Sequence, residues 1–130
     1  EGPASVWSAL RDLKATRIGH ATRSFEDPAL IDHILENKIG IEVSLTSNVQ
    51  TSVVADYASH PLRGFLERGL LATLNTDDPG ISAIDLQHEY EVAAPAAGLS
   101  VEMIYQAQRN ALAVAFLSKT EKQKLLAACS

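Results

Sequence analysis

The chain has 130 residues, 46% of them apolar and 21% charged, with a formal net charge of -5. That is one domain's worth of soluble, globular sequence with enough apolar material for a core. The acidic balance, without a block of like charges, excludes a basic face for nucleic acid, and no apolar run nears the ~20 residues of a membrane span. The lone cysteine, Cys129, excludes an internal disulfide framework and a multi-thiolate metal site, which makes the cytoplasm the expected compartment. Because the chain opens at Glu1 without a methionine and runs directly into structured sequence, residues 1–130 are expected to form a single partial domain of something longer.

In chain order, Val6, Trp7, Leu10 and Leu13 fall at helical spacing, with Pro3 placed for a helix entry. A β-type run over residues 16–20 follows. Asp27-Pro28 then offers an N-cap acid and a first-turn proline for a helix that turns Leu30, Ile31, Ile34 and Leu35 inward and ends near Asn37. Residues 39–45 read as a second strand, with Thr46-Ser47-Asn48 as the polar loop at its end, and residues 49–59 as a loop or short helical turn. Pro61 opens a helix with Leu62, Phe65 and Leu66 inward, closed by Gly69 as the residue after its C-cap. Residues 70–75 form the third strand, which delivers Asp77 and Asp78. Only helices follow: one from about Asp85 to Ala94, broken by Pro95 and Gly98, and one from the Ser100 cap to about Phe116. The last is announced by the capping box Ser118-Lys119-Thr120-Glu121 and leads to Leu125 and Leu126.

Three strands separated by helices indicate parallel βα units. Each strand ends in polar residues: His20, then Thr46-Ser47-Asn48, then Asp77-Asp78. In parallel α/β folds function collects at the carboxyl ends of strands. Two adjacent carboxylates at such an end call for a compensating cation or proton, although an Asp-Pro turn accounts for the same residues. A (β/α)₈ barrel takes about 250 residues, and three parallel strands alone leave two edges unpaired. Further strands are therefore expected from elsewhere, or the chain self-associates.

Arg17-Ile18-Gly19-His20, Leu45-Thr46-Ser47-Asn48 and Asn75-Thr76-Asp77-Asp78-Pro79 stand in this order and at suitable spacing, followed by Asp85-Leu86-Gln87-His88-Glu89-Tyr90 and Val92-Ala93-Ala94-Pro95-Ala96-Ala97-Gly98-Leu99-Ser100. With Ala115-Phe116-Leu117-Ser118 added, the chain resembles, over essentially its whole length, the C-terminal part of the adenosine deaminase family, and within it the bacterial-type adenosine deaminases. The resemblance implies the C-terminal part of a (β/α)₈ TIM barrel, about three parallel strands with flanking helices plus C-terminal helices. It implies a Zn²⁺ cofactor and hydrolytic deamination of adenosine and 2'-deoxyadenosine to inosine and ammonia.

Carried over by position, the resemblance implies that Asp77 is both a zinc ligand and the group that holds a water in line for attack. His20 stands beside that water and stabilises or shuttles charge. Asp78 binds the substrate, donating to purine N7, for which it must carry a proton. The family's His-x-His pair and its further histidine ligand have no counterpart here, and its proton-donating glutamate belongs to a His-Ala-Gly-Glu motif expected upstream of Gly2-Pro3. Glu1 then reads as a loop residue. The family follows its histidine with glycine where this chain has Ala21. Its adenine-specific relatives carry Asp where this chain has Gly19, which favours the nucleoside over free adenine or another 6-aminopurine. By their own surroundings in the sequence, His33 is an ordinary helix residue, His60 before Pro61 a helix-entry residue, His88 a structural helix residue, and Cys129 a small packing residue.

With one zinc ligand where a catalytic site takes about three, these residues alone are expected neither to hold zinc tightly nor to deaminate. The expected partners are a purine nucleoside and the N-terminal part of the barrel, with neither nucleic acid nor membrane. A non-catalytic half-barrel that self-associates is the contrasting class of function.

Overall fold

Three short apolar runs, β1 (Arg17–Gly19), β2 (Gly40–Val43) and β3 (Leu71–Leu74), pair as a parallel sheet in the order β1-β2-β3. Register is set by Ile18 opposite Ile41 and Ile41 opposite Ala72. The computed structural model describes residues 2–128. Ala72, Thr73 and Leu74 are buried in succession, so both faces of β3 are covered, as parallel sheets require. Gly40 starts β2 where a Cβ would lie 2.9 Å from the Arg17 side chain and from Val114; no larger residue fits between the strand and its cover.

The crossovers are helices. Around the sheet run α1 (Pro3–Arg11), α2 (Pro28–Glu36), α3 (Leu45–Gln50) and α4 (Leu62–Glu67). Asp27 caps α2 by accepting from the backbone N–H groups of Ala29 and Leu30 at 3.0 and 3.2 Å, and also accepts the Trp7 indole N–H at 2.8 Å. That last bond, with the two backbone bonds, holds its carboxyl below the usual range. Leu30, Ile31 and Ile34 of α2 and Leu62, Phe65 and Leu66 of α4 pack against Ile41, Val43, Ala72 and Leu74 in one core, each large side chain contributing roughly 1.5–3 kcal/mol. Gly69 follows α4 with φ +76°, the left-handed conformation that ends helices. Leu35 and Leu13, expected inward, are 42% and 77% exposed. Leu13 lies past the end of α1, and Leu35 sits at the rim of the buried stripe of α2.

After β3 come α5 (Pro79–Ser82), α6 (Leu86–His88), a π-helical segment over Glu89–Ala93, α7 (Ala94–Ala96), α8 (Val101–Val114) and α9 (Lys119–Ala128). Pro95 does not break the helix as its type suggests. A widened π turn over Glu89–Ala93 precedes it, and Pro95 enters α7 at a first-turn position, where proline is tolerated. Helix α8 lies on β3, and Asn110, 2% exposed, donates to the carbonyls of Leu70 and Ala72 at 3.3 and 2.9 Å. The capping box of α9 forms as expected: Ser118 N–H donates to Glu121 at 2.8 Å and Glu121 N–H to the Ser118 hydroxyl at 3.3 Å. Leu125 and Leu126 stay about half exposed. Among the described residues no helix is long and apolar enough to cross a membrane.

Candidate functional site

All three strands open at their carboxyl ends onto one region. The β1 ladder continues one residue beyond the strand, His20 N–H donating to Glu42 O at 2.7 Å, and the chain then turns sharply with His20 at φ +58° and Ala21 at φ +52°. Asp77, beyond β3, has φ +62°. Non-glycine residues pay about 1 kcal/mol each to hold this left-handed conformation. Here the turns aim the His20 and Asp77 side chains at one another, His20 Nε2 lying 3.9 Å from Asp77 Oδ2. That gap is too long for a hydrogen bond and leaves both groups able to meet a third. The two side chains are 45% and 46% exposed. They line a cavity of about 340 Å³ together with Gly19, Ala21, Ser47 and Asn48, with Ser5 and Val6 of α1 at its edge.

The segment after β2 contributes more than a polar loop. Thr46, Ser47 and Asn48, expected as a loop, form α3. Ser44 stands at its N-cap without a side-chain cap bond. Its role is filled from a distance: both carboxylate oxygens of Glu89, fully buried, accept from the N–H groups of Leu45 and Thr46 at 3.0 and 3.1 Å. Anchored in this way, α3 presents two polar side chains to the site. The Ser47 hydroxyl donates to Asp77 Oδ2 at 2.7 Å, and Asn48 Nδ2 meets His20 Nδ1 at 3.0 Å.

Behind Asn48 lies His60, expected as a plain helix-entry residue but only 3% exposed and bonded through Nε2 to Asn48 Oδ1 at 3.0 Å. Burial, with His20 nearby as a lesser cause, lowers its pKa to about 4. Nothing in the sequence signals this, because His60 follows the polar residues Asp56 and Ser59 and precedes Pro61, as an exposed helix entry would. The remaining histidines take structural places. His33 packs against Trp7 with ring centroids 4.9 Å apart, and His88 lies with Asp85 beside the α5 turn.

Asp78 stands apart from the pair. It is exposed and caps α5, accepting from Ile81 N–H at 3.1 Å. The two neighbouring acids thus face different surroundings, one turned to His20 and Ser47, the other to a helix end. Glu1 and Cys129 lie outside the described residues. Among the described residues no three His, Cys, Asp or Glu side chains converge as a metal site. Asp77 presents carboxylate oxygens to the cavity, one of them held by the Ser47 hydroxyl.

The sequence profile described as Adenosine deaminase matches residues 1–129. The chain belongs to the adenosine deaminase family. It is 60% identical over 125 residues to the adenosine deaminase of Klebsiella pneumoniae subsp. pneumoniae, covering 96% of this chain and 38% of that protein. It is 57% identical over 124 residues to the adenosine deaminase of Photorhabdus laumondii, covering 95% of this chain and 37% of that protein. The fold superposes on an adenine deaminase from Arthrobacter aurescens with a TM-score of 0.91 at 27% identity, covering 97% of this chain and 38% of the other. The parallel sheet and its flanking helices are therefore part of a deaminase-type (β/α)₈ barrel. The chain spans about 38% of the length of the curated relatives it matches.

Proposed function

We propose that this chain is the C-terminal part of a zinc-dependent adenosine deaminase, which converts adenosine and 2'-deoxyadenosine to inosine products and ammonia in the cytoplasm. The observation that carries the reading is the meeting of His20 and Asp77 from two strand ends at one cavity, in a chain 60% identical to a curated adenosine deaminase. In the reaction a water oxygen bonds to purine C6 and the C6–N bond breaks; one water proton leaves on the amino nitrogen as ammonia and the other ends on purine N1. Asp77 is the residue here that would hold the zinc ion, with Ser47 fixing the orientation of its carboxylate. When bound, zinc supplies the Lewis acidity that brings a water's pKa toward neutrality. Asp77 also holds the attacking water in line, and His20 steadies the charge as oxygen adds. Asp78 is the residue that would meet purine N7; Oδ1 already caps α5, which leaves Oδ2 for the base.

Gly19 supports a nucleoside over a free base. It lines the cavity beside His20, and a Cβ placed on it would meet nothing within 4 Å, so the cavity is open at this position, where the adenine-specific relatives carry Asp. Deamination of adenine or another 6-aminopurine is the second reading, favoured by the likeness to the Arthrobacter adenine deaminase. Turnover of adenosine and of adenine by the full-length protein decides between them; preference for adenine overturns our choice. Gly19→Asp is expected to fold and to move the kcat/KM ratio toward adenine. Asp77→Asn is expected to lower both zinc content and turnover.

β1 and β3 each pair with one strand among the described residues. We expect their outer edges to be covered by the N-terminal part of the barrel. Residues 1–130 alone are accordingly expected neither to retain stoichiometric zinc nor to deaminate adenosine, and a fragment doing both would refute the partial-site reading.

A further inference from the structure

The hydrogen bonds behind His20 have a fixed direction, because the series begins at a group that can only donate. Leu62 offers its backbone N–H to His60 Nδ1 at 3.1 Å, so Nδ1 must present its lone pair. A neutral imidazole that accepts at one nitrogen carries its hydrogen on the other. His60 Nε2 therefore donates, and its partner at 3.0 Å is Asn48 Oδ1. With its oxygen committed, Asn48 turns its NH₂ toward His20 Nδ1 at 3.0 Å. An amide nitrogen only donates, so His20 Nδ1 in turn accepts. The reverse order is excluded: with Asn48 donating to His60, both His60 nitrogens would have to accept, and neutral imidazole has no such form.

We propose that Asn48 and His60 are positioning residues for His20, fixing its ring so that Nδ1 accepts and Nε2 presents its hydrogen to the cavity and Asp77. Three observations independent of any ligand support this. Asn48 and His60 are 2% and 3% exposed, so water does not compete for their bonds. Asn48 lies on α3, which Glu89 anchors to the core, so its amide cannot drift from His20. The left-handed backbone at His20 orients the ring from the other side. The ring is thus held at its backbone and at Nδ1, leaving Nε2 as the free edge facing Asp77 Oδ2 at 3.9 Å. The catalytic consequence rests on the deaminase reading above; the direction of the hydrogen bonds does not.

The test uses the full-length protein labelled with ¹⁵N at histidine. Long-range ¹H–¹⁵N correlation distinguishes a ring protonated at Nε2 from one protonated at Nδ1, with His20→Asn and His60→Gln assigning the signals. In the wild type both His20 and His60 are expected to carry hydrogen on Nε2. Finding His20 with its hydrogen on Nδ1 overturns the proposal without recourse to any other variant. In Asn48→Asp the side chain keeps its shape but can only accept, so the His20 hydrogen is expected to move to Nδ1. Turnover is then expected to fall about 10- to 100-fold in kcat, the usual effect of disturbing an outer partner of a site residue, with KM little changed. A tautomer that does not move, or one that moves with kcat intact, overturns the positioning role. Should Asn48→Asp fail to fold, His60→Phe frees the Asn48 amide to flip, and a mixture of His20 tautomers is expected; a single unchanged tautomer overturns it. Lack of adenosine turnover by a wild type showing the expected tautomers would refute the deaminase reading alone.

Discussion

Among the described residues His60 is the only buried histidine, and its replacement by glutamine tests the energetics of the site directly. Folding lowers its pKa from 6.5 to about 4, first through burial and then through the neighbouring His20. In the unfolded chain this imidazole takes up a proton as the pH falls through 6.5, while the folded protein refuses it until about pH 4. Stability is therefore unaffected above pH 6.5, declines between 6.5 and 4, and levels off below that. At 1.36 kcal/mol per pH unit the full loss is about 3 kcal/mol, and at pH 5 about 2 kcal/mol has gone. Against a total of roughly 5–15 kcal/mol for a folded domain this is a large share. His60→Gln cannot protonate, although it loses the acceptor for Leu62 N–H and so starts from lower stability. Urea unfolding of both full-length proteins at pH 7.5 and pH 5 provides the comparison. The wild type's advantage at pH 7.5 should shrink by about 2 kcal/mol at pH 5. Carboxylates and metal ligands common to both proteins cancel in the difference. An advantage equal at the two pH values would refute the claim that His60 is buried neutral.

Glu89→Ala removes the acceptor for two buried backbone N–H groups at the start of α3, each costing about 1–3 kcal/mol when left unpaired. Chemical denaturation should show a loss of roughly 2–6 kcal/mol, and kcat should fall because Ser47 and Asn48 ride on that helix. Ala21→Gly relieves a left-handed backbone at φ +52°, a gain partly offset by the freer unfolded chain, so a thermal shift assay should register a stabilisation of up to about 1 kcal/mol. Asn110→Leu leaves the carbonyls of Leu70 and Ala72 without their side-chain donor and should destabilise by about 1–3 kcal/mol in urea unfolding.

Much of the fold was legible in local signals because those signals are themselves local interactions. Asp27 caps the helix that Pro28 opens, Ser118 and Glu121 satisfy each other, Gly69 takes the left-handed turn, and the three apolar runs became the three strands. Polar residues at strand ends marked the region that holds His20 and Asp77, since side chains beyond a buried strand emerge where the sheet ends. What local pattern could not carry was decided across the chain. Thr46-Ser47-Asn48 has the composition of a turn and lacks a cap of its own; it is helical because Glu89, remote in sequence, accepts its first N–H groups. Pro95 has the signature of a helix end, yet a π turn absorbs it. His60 belongs to the site only through Asn48, and the separate surroundings of Asp77 and Asp78 depend on where α3 and α5 lie. The sequence by itself determined which segments become strands and which end of each is polar, because apolar periodicity and capping act within a few residues. The tertiary structure alone decided which polar groups meet and in which direction their hydrogen bonds run, because a buried donor or acceptor must find its partner wherever packing puts one.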